Sequence, residues 1–199
     1  FAVAYTDEGI ALRQAGIRLP IMVLNANLND ADLFMRYNLE PELYSLQQLA
    51  QYTKDYQDSQ RKLKVHIMLN TGMNRLGFSN DELSSLIQIL RKTMLIEVQS
   101  ICSHLAASDD PKEENFTLGQ IEAFQLGADQ IAEALPARPL YHILNSGGIS
   151  RYPQFQFDMV RLGIGIHGVE VANLKQHGLK TPAKLSSVIS QIREVKSGE

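Results

Sequence analysis

Cysteine is almost missing from this chain: Cys102 stands alone among 199 residues. No internal disulfide can staple the fold, and a reducing compartment suits the chain better than an extracellular one. An excess of positive charge is missing too, with 19 lysines and arginines against 22 aspartates and glutamates. That balance offers no basic field for a phosphate backbone, so nucleic acid is not an expected partner. No apolar run approaches the roughly 20 residues that cross a bilayer, so no membrane partner is expected either. No secretion leader is expected, and the opening Phe1-Ala-Val-Ala-Tyr5 reads as the middle of something. Neither a Gly-x-Gly-x-x-Gly turn after the first apolar run nor a Walker loop occurs, which removes the main support for dinucleotide or nucleoside-triphosphate binding. What is present is ordinary: 44% hydrophobic and 21% charged residues over a length that can bury one sizeable core. These features together predict a cytoplasmic α/β protein.

Short β-branched runs alternate with amphipathic stretches, the pattern of parallel strands joined by crossover helices. Strands are expected at Phe1–Tyr5, Ile21–Asn25, Glu42–Ser45, Leu63–Leu69, Ile96–Ser103, Tyr141–Leu144 and Met159–Ile166. Asp7 and Glu8 behind Thr6 suit a helix start, and Gly16 can close that helix. Ser45 can cap a helix burying Leu46, Leu49 and Tyr52. Ser79-Asn80-Asp81-Glu82 has capping-box spacing ahead of Leu83, Leu86, Ile87 and Leu90. A longer helix is expected over Thr117–Ala134. Seven strands in strand–helix order suit a TIM-type (β/α)8 barrel lacking its first βα unit. On this reading residues 1–170 are the partial barrel. Residues 171–199 are a linker and the start of a C-terminal β domain, with Lys184–Glu199 as an amphipathic helix or an opening strand.

A β/α barrel carries its chemistry at the C-terminal ends of its strands. Four polar clusters fall there: Asn70-Thr71-Gly72-Met73-Asn74-Arg75-Leu76-Gly77, Ser103-His104-Leu105-Ala106, Asn145-Ser146-Gly147-Gly148 and Arg161-Leu162-Gly163-Ile164-Gly165. Glycines beside Ser146 and at Gly163 let backbone N–H groups approach an anion closely. Arg161, inside a strand, needs a partner if it faces the barrel interior. Each cluster also has a plain reading, as a turn, a structural histidine or a structural ion pair. Asp109, Asp110, Glu113 and Glu114 read as a solvated loop, and no metal site is expected.

At these residues the sequence resembles the alanine racemases, pyridoxal-phosphate enzymes of fold type III. The resemblance starts with Phe1-Ala-Val-Ala and Leu12-Arg13-Gln14-Ala15-Gly16-Ile17, is most specific at Thr71-Gly72-Met73-Asn74-Arg75-Leu76-Gly77, and continues through Ser103-His104, Asn145-Ser146 and Asp158-Met159-Val160-Arg161-Leu162-Gly163-Ile164. It implies pyridoxal 5'-phosphate as cofactor, alanine as substrate, a homodimeric intact parent, and D-alanine supply for peptidoglycan. Arg161 matches the arginine facing the pyridine nitrogen. A guanidinium effectively never loses its proton, so it leaves that nitrogen unprotonated and favours racemisation over transamination. His104 matches a histidine in that arginine's hydrogen-bond network. Arg75 matches the arginine directed at the phenolic oxygen and the substrate carboxylate region, and Met73 a position that contributes to the substrate site across the dimer, through its backbone. Ser146, Gly163 and Ile164 match the phosphate cradle, and Asn145 beside it is counted with the cofactor site.

The lysine that carries the family's cofactor and the tyrosine that acts as opposite base match no residue here. The resemblance therefore implies that the fragment alone is inactive. Met68 stands where many members have a lysine that becomes carbamylated and orients the arginine matched by Arg75. Asn70 replaces the motif's aspartate, and His167 replaces a tyrosine. Those departures leave a second expectation open: a non-catalytic pyridoxal-phosphate binder or a degenerate racemase-like domain kept for dimer formation.

Overall fold

In the computed structural model, residues 1–172 and 178–198 are described. Within them, β1 (Ala2–Val3), β2 (Met22–Val23), β3 (Glu40–Leu43), β4 (Leu63–Met68), β5 (Ile96–Cys102) and β6 (Leu140–His142) form one sheet in chain order. Every neighbouring pair is parallel. Between them run α1 (Thr6–Gln14), α2 (Ala31–Tyr37), α3 (Leu46–Asp55), α4 (Leu83–Lys92) and α5 (Glu114–Ala132), with α6 (Ser146–Arg151) after β6. The result is an open half-barrel of six strands with helices on its outer face. Among the described residues no helix is long and apolar enough to cross a membrane.

The helix starts follow local chemistry. Ser45 Oγ accepts from Gln48 N at 3.2 Å, while Gln48 Oε1 accepts from Tyr44 N at 2.9 Å. Together they satisfy donors that a helix end would otherwise leave orphaned. Glu82 Oε2 accepts from Ser79 N at 2.9 Å in the same manner before α4. Glu8 accepts from Ala4 N and Tyr5 N at 2.7 and 3.0 Å, so α1 begins on its own carboxylate.

The apolar core lies between the sheet and the helices. Leu43, Val65, Ile67, Ile101, Tyr141 and Ile143 point outward against Leu49, Tyr52, Leu86, Phe124 and Ile131. Each such side chain contributes about 1.5–3 kcal/mol by leaving water. The opposite face of the same strands carries Glu40, Glu42, His66, Ser100 and His142, all buried. The barrel is therefore apolar outside and polar within. A register shift at Val65/His66 separates the pairs Val65↔Val98 and His66↔Ser100, which places one extra residue, Gln99, in β5.

Two expectations differ from the structure. Met159–Ile166 is not a strand: Asp158 N and Arg161 N reach Tyr141 O and Leu144 O, but these donors sit three residues apart, whereas a parallel ladder uses every second residue. Gly163 then turns the chain into a 3-10 turn over Ile164–His167. The amphipathic helix or strand expected over Lys184–Glu199 is not formed within residues 178–198, where Leu185, Val188, Ile189, Ile192 and Val195 are exposed and meet no apolar surface; Glu199 lies outside the described residues.

Candidate functional site

The C-terminal rim is built first by the loop after β4. Asn70 N donates to Phe78 O and Phe78 N donates to Met68 O, at 2.9 and 2.8 Å, which returns the chain onto the strand it left. Asn70 Oδ1 accepts from Gly72 N and Asn74 N at 3.1 and 3.0 Å, so this asparagine organises the loop with the acceptor an aspartate would also supply. Gly77 has φ +120°, and a Cβ there would lie 2.5 Å from Asn70 N, so no side chain fits. Gln120, buried in α5, ties this loop to the next one. Its Nε2 reaches Thr71 Oγ1 and His104 O, and its Oε1 accepts from Ala106 N. Sequence reasoning did not single out Gln120; a polar residue one step before the inward-facing Ile121 was its only trace.

Arg161 sits at the centre of the rim. Its Nη1 donates to His142 Nδ1 at 2.6 Å and to His142 O at 3.2 Å, and its Nη2 donates to Ser103 O, to Ile143 O at 3.2 Å and toward His104 Nδ1 at 3.4 Å. The partner that this arginine required is thus a set of carbonyls and two imidazoles. His142 is the closer imidazole, and the sequence reading missed it because it lies within a strand instead of just after one. Burial, the Arg161 charge and His66 push the His142 pKa down to about 2, so its ring is neutral and its Nδ1 can accept. Burial, Arg161 and Arg75 push His104 down to about 4.

A cleft of about 320 Å³ opens beside Arg161, lined by His104, Asn145, Ser146, Gly147, Gly163 and Ile164 among others. Ser146 Oγ accepts from Gly163 N and Gly165 N at 3.2 and 3.1 Å. Gly165 is an addition to the expected set. The N–H of Ile164 meets no acceptor among the described residues. Asn145 has its amide committed within the protein, taking Gly148 N and Ser108 Oγ on Oδ1 and giving Nδ2 to Leu105 O. Its contribution is to fix where Ser146 stands.

Arg75 and Met73 lie on the loop after β4, Arg75 exposed and Met73 half-buried. No hydrogen bond or ion pair holds the Arg75 side chain among the described residues, yet its charge acts on both His104 and Glu42. Glu42 is the unexpected group. Its Oε1 lies 3.3 Å from Cys102 Sγ, which is 3.8 Å from Met68 Sδ. Burial raises the Glu42 pKa to about 7, against the pull of the Cys102 hydrogen bond, Arg161 and Arg75. His167 is exposed and does not line this cleft.

Residues 1–171 match the family described as alanine racemase, N-terminal domain. An alanine racemase of Carboxydothermus hydrogenoformans is 31% identical over 203 residues, covering 100% of this chain and 54% of its own length. The structure is similar to that of alanine racemase from Corynebacterium glutamicum, with a TM-score of 0.82 and 25% identity over 91% of this chain and 51% of that one. It is also similar to alanine racemase from Bartonella henselae with covalently bound pyridoxal phosphate, with a TM-score of 0.80 and 28% identity over 91% of this chain and 52% of that one. The chain spans about half the length of the curated relatives it matches.

Proposed function

This chain belongs to the alanine racemase family, as its N-terminal domain, and from that premise we propose that it is the cofactor-binding half of a pyridoxal-phosphate-dependent enzyme interconverting L- and D-alanine. The observation that carries the reading is the Arg161 guanidinium, held against His104 at the wall of the cleft that also contains Ser146.

The residues present fit the group. Ser146 Oγ gathers the N–H groups of Gly163 and Gly165, and the serine's own hydrogen and the N–H of Ile164 are left to give. Those are short neutral donors of the kind that hold a phosphate without a lysine. Arg161 supplies a donor for a ring nitrogen and keeps its own proton, so the nitrogen stays unprotonated. Pyridoxal phosphate, when bound, supplies a conjugated ring that accepts the electron pair released at the α-carbon. His104, neutral above about pH 4, adds no second positive charge beside that ring. Arg75 would face the substrate carboxylate, and the backbone at Met73 would serve the substrate site across a dimer. Buried Glu42, raised to about 7 by burial against the pull of both arginines, stands against the Cys102 thiol, which in turn meets Met68.

The family's cofactor-bearing lysine and its tyrosine base have no counterpart among residues 1–199, so these residues alone lack an acid–base pair on the two faces of a substrate. We expect no useful turnover from them in isolation. The intact parent would act as a cytoplasmic homodimer supplying D-alanine for peptidoglycan, with residues 1–170 as its barrel and residues 171–199 leading into a C-terminal β domain. A degenerate or purely cofactor-holding domain is the second reading, motivated by Met68 and Asn70. The loop bonds of Asn70 weigh against it. Exchange of the alanine α-proton in heavy water by the full-length protein tests the proposal. Exchange supports it, whereas cofactor binding without exchange favours the second reading. Failure to bind pyridoxal phosphate removes the proposal and leaves only a degenerate domain kept for dimer formation.

A further inference from the structure

Behind Arg161, away from the cleft, four buried side chains continue the line of hydrogen bonds across the barrel interior. His142 Nε2 lies 2.9 Å from Ser100 Oγ, Ser100 Oγ lies 2.6 Å from His66 Nδ1, and His66 Nε2 lies 3.1 Å from Glu40 Oε2. The four are 0 to 7% exposed and come from β6, β5, β4 and β3 in turn. The strand register delivers them, since His66 pairs with Ser100 and Cys102 with His142.

With both imidazoles neutral, the protons of this line have one arrangement in which every donor meets an acceptor. A guanidinium only donates. Nη1 of Arg161 therefore requires a lone pair on His142 Nδ1, which leaves the proton of the neutral ring on Nε2. That Nε2–H donates to Ser100 Oγ. The serine hydroxyl, already an acceptor there, turns its own hydrogen to His66 Nδ1. His66 then carries its proton on Nε2 and donates to the Glu40 carboxyl oxygen. Reversing the middle bond would place lone pairs on both nitrogens of His142, an anion that no neutral imidazole forms beside these groups. Every donor meets an acceptor, and the line ends on an acidic side chain opposite the cation that began it.

We propose that Glu40, His66, Ser100 and His142 form a directional hydrogen-bond relay that fixes the Arg161 guanidinium from behind, making Glu40 and Ser100 positioning residues for whatever Arg161 meets in the cleft. The relay is a property of the barrel interior; that Arg161 meets a pyridine nitrogen rests on the function proposed above. The arrangement matters because the opposite tautomer of His142 would point an N–H at an N–H and turn the guanidinium out of its plane. A serine hydroxyl is suited to the middle position, being able to accept and donate at once with a hydrogen that rotates to suit.

The test is long-range proton–nitrogen NMR of the full chain, labelled with 15N histidine and arginine, without cofactor. His142 and His66 are expected as neutral rings with the proton on Nε2. In Ser100→Ala the His142 Nε2 proton and the Arg161 Nη protons are expected to exchange with water at least about tenfold faster. Ser100→Thr, which keeps the hydroxyl, should restore slow exchange, and Glu40→Gln, which keeps an acceptor oxygen, should preserve both tautomers. A proton on His142 Nδ1 in the unaltered chain overturns the proposal, and so does unchanged exchange in a folded Ser100→Ala. If Ser100→Ala fails to fold, the tautomers of the unaltered chain still decide. Binding of pyridoxal phosphate, followed separately by equilibrium dialysis, should weaken about tenfold in Ser100→Ala. Correct tautomers in a chain that binds no pyridoxal phosphate would sink the functional reading and leave the relay standing.

Discussion

Replacing Glu42 by glutamine should stabilise the fold at alkaline pH and do little at acidic pH. Glu42 is 5% exposed, and burial raises its pKa from 4.5 to about 7. Between those values the native state binds a proton that the unfolded chain has already released. The associated stability is therefore fully present below about pH 4.5 and is lost as pH rises through about 7. At about 1.4 kcal/mol for each pH unit of separation, the loss amounts to about 3 kcal/mol. Glutamine keeps the shape and an oxygen for the Cys102 thiol but never ionises. Urea unfolding of the unaltered chain and of Glu42→Gln, at about pH 5 and about pH 8, measures the effect as a difference of differences. The gain from the substitution should be larger at the higher pH by roughly 2 to 3 kcal/mol. The titration of His104 runs the other way in this range, but it is common to both proteins and cancels. An equal change in stability at the two pH values would refute the reasoning.

Other substitutions probe the rim and the core. His104, with its pKa lowered to about 4 from 6.5, makes the native state less stable as pH falls through that interval; His104→Gln should flatten the acid limb of a stability profile by about 3 kcal/mol. Gly77→Ala forces a Cβ to 2.5 Å from Asn70 N at φ +120°, and chemical denaturation should report a loss of about 2 to 3 kcal/mol. Gln120→Ala removes three hydrogen bonds that tie two loops together, so amide exchange in residues 71–76 and 104–106 should quicken while unfolding costs about 2 kcal/mol less. Thr117 is fully buried with no partner for its hydroxyl among the described residues, and Thr117→Val should raise the melting temperature through about 1 kcal/mol.

Much of the fold was legible from patterning. The runs at Leu63–Leu69 and Ile96–Ser103 became β4 and β5, and the capping residues Ser45 and Glu82 act as their spacing suggested. Arg161 revealed its need for partners through the expense of burying a bare charge. Which partners it found was not legible, because three of them are backbone carbonyls that any sequence possesses. His142, Ser100, His66 and Glu40 stayed hidden for another reason. Attention to the loops after strands passes over residues within them, and His66 and His142 are flanked by apolar neighbours that advertise only a core. Ser146 and Gly163 were visible as a pair of glycine-rich turns. The participation of Gly165 depends on the turn that replaces the expected strand, and no alternation signals such a curl.

The irregularity at Val65/His66 gives β5 one residue more than even alternation provides. Were Gln99 paired in even alternation instead of bulged, Ile101 would face the barrel axis and Ser100 the helices, each on the wrong side of the wall. One amino acid of slack therefore reverses the inside-out parity of half a strand. Flattening it with every residue kept would exchange the greasy and hydroxylated faces at the point where the interior most needs a hydroxyl, whereas deleting Gln99 would restore plain alternation and keep both faces.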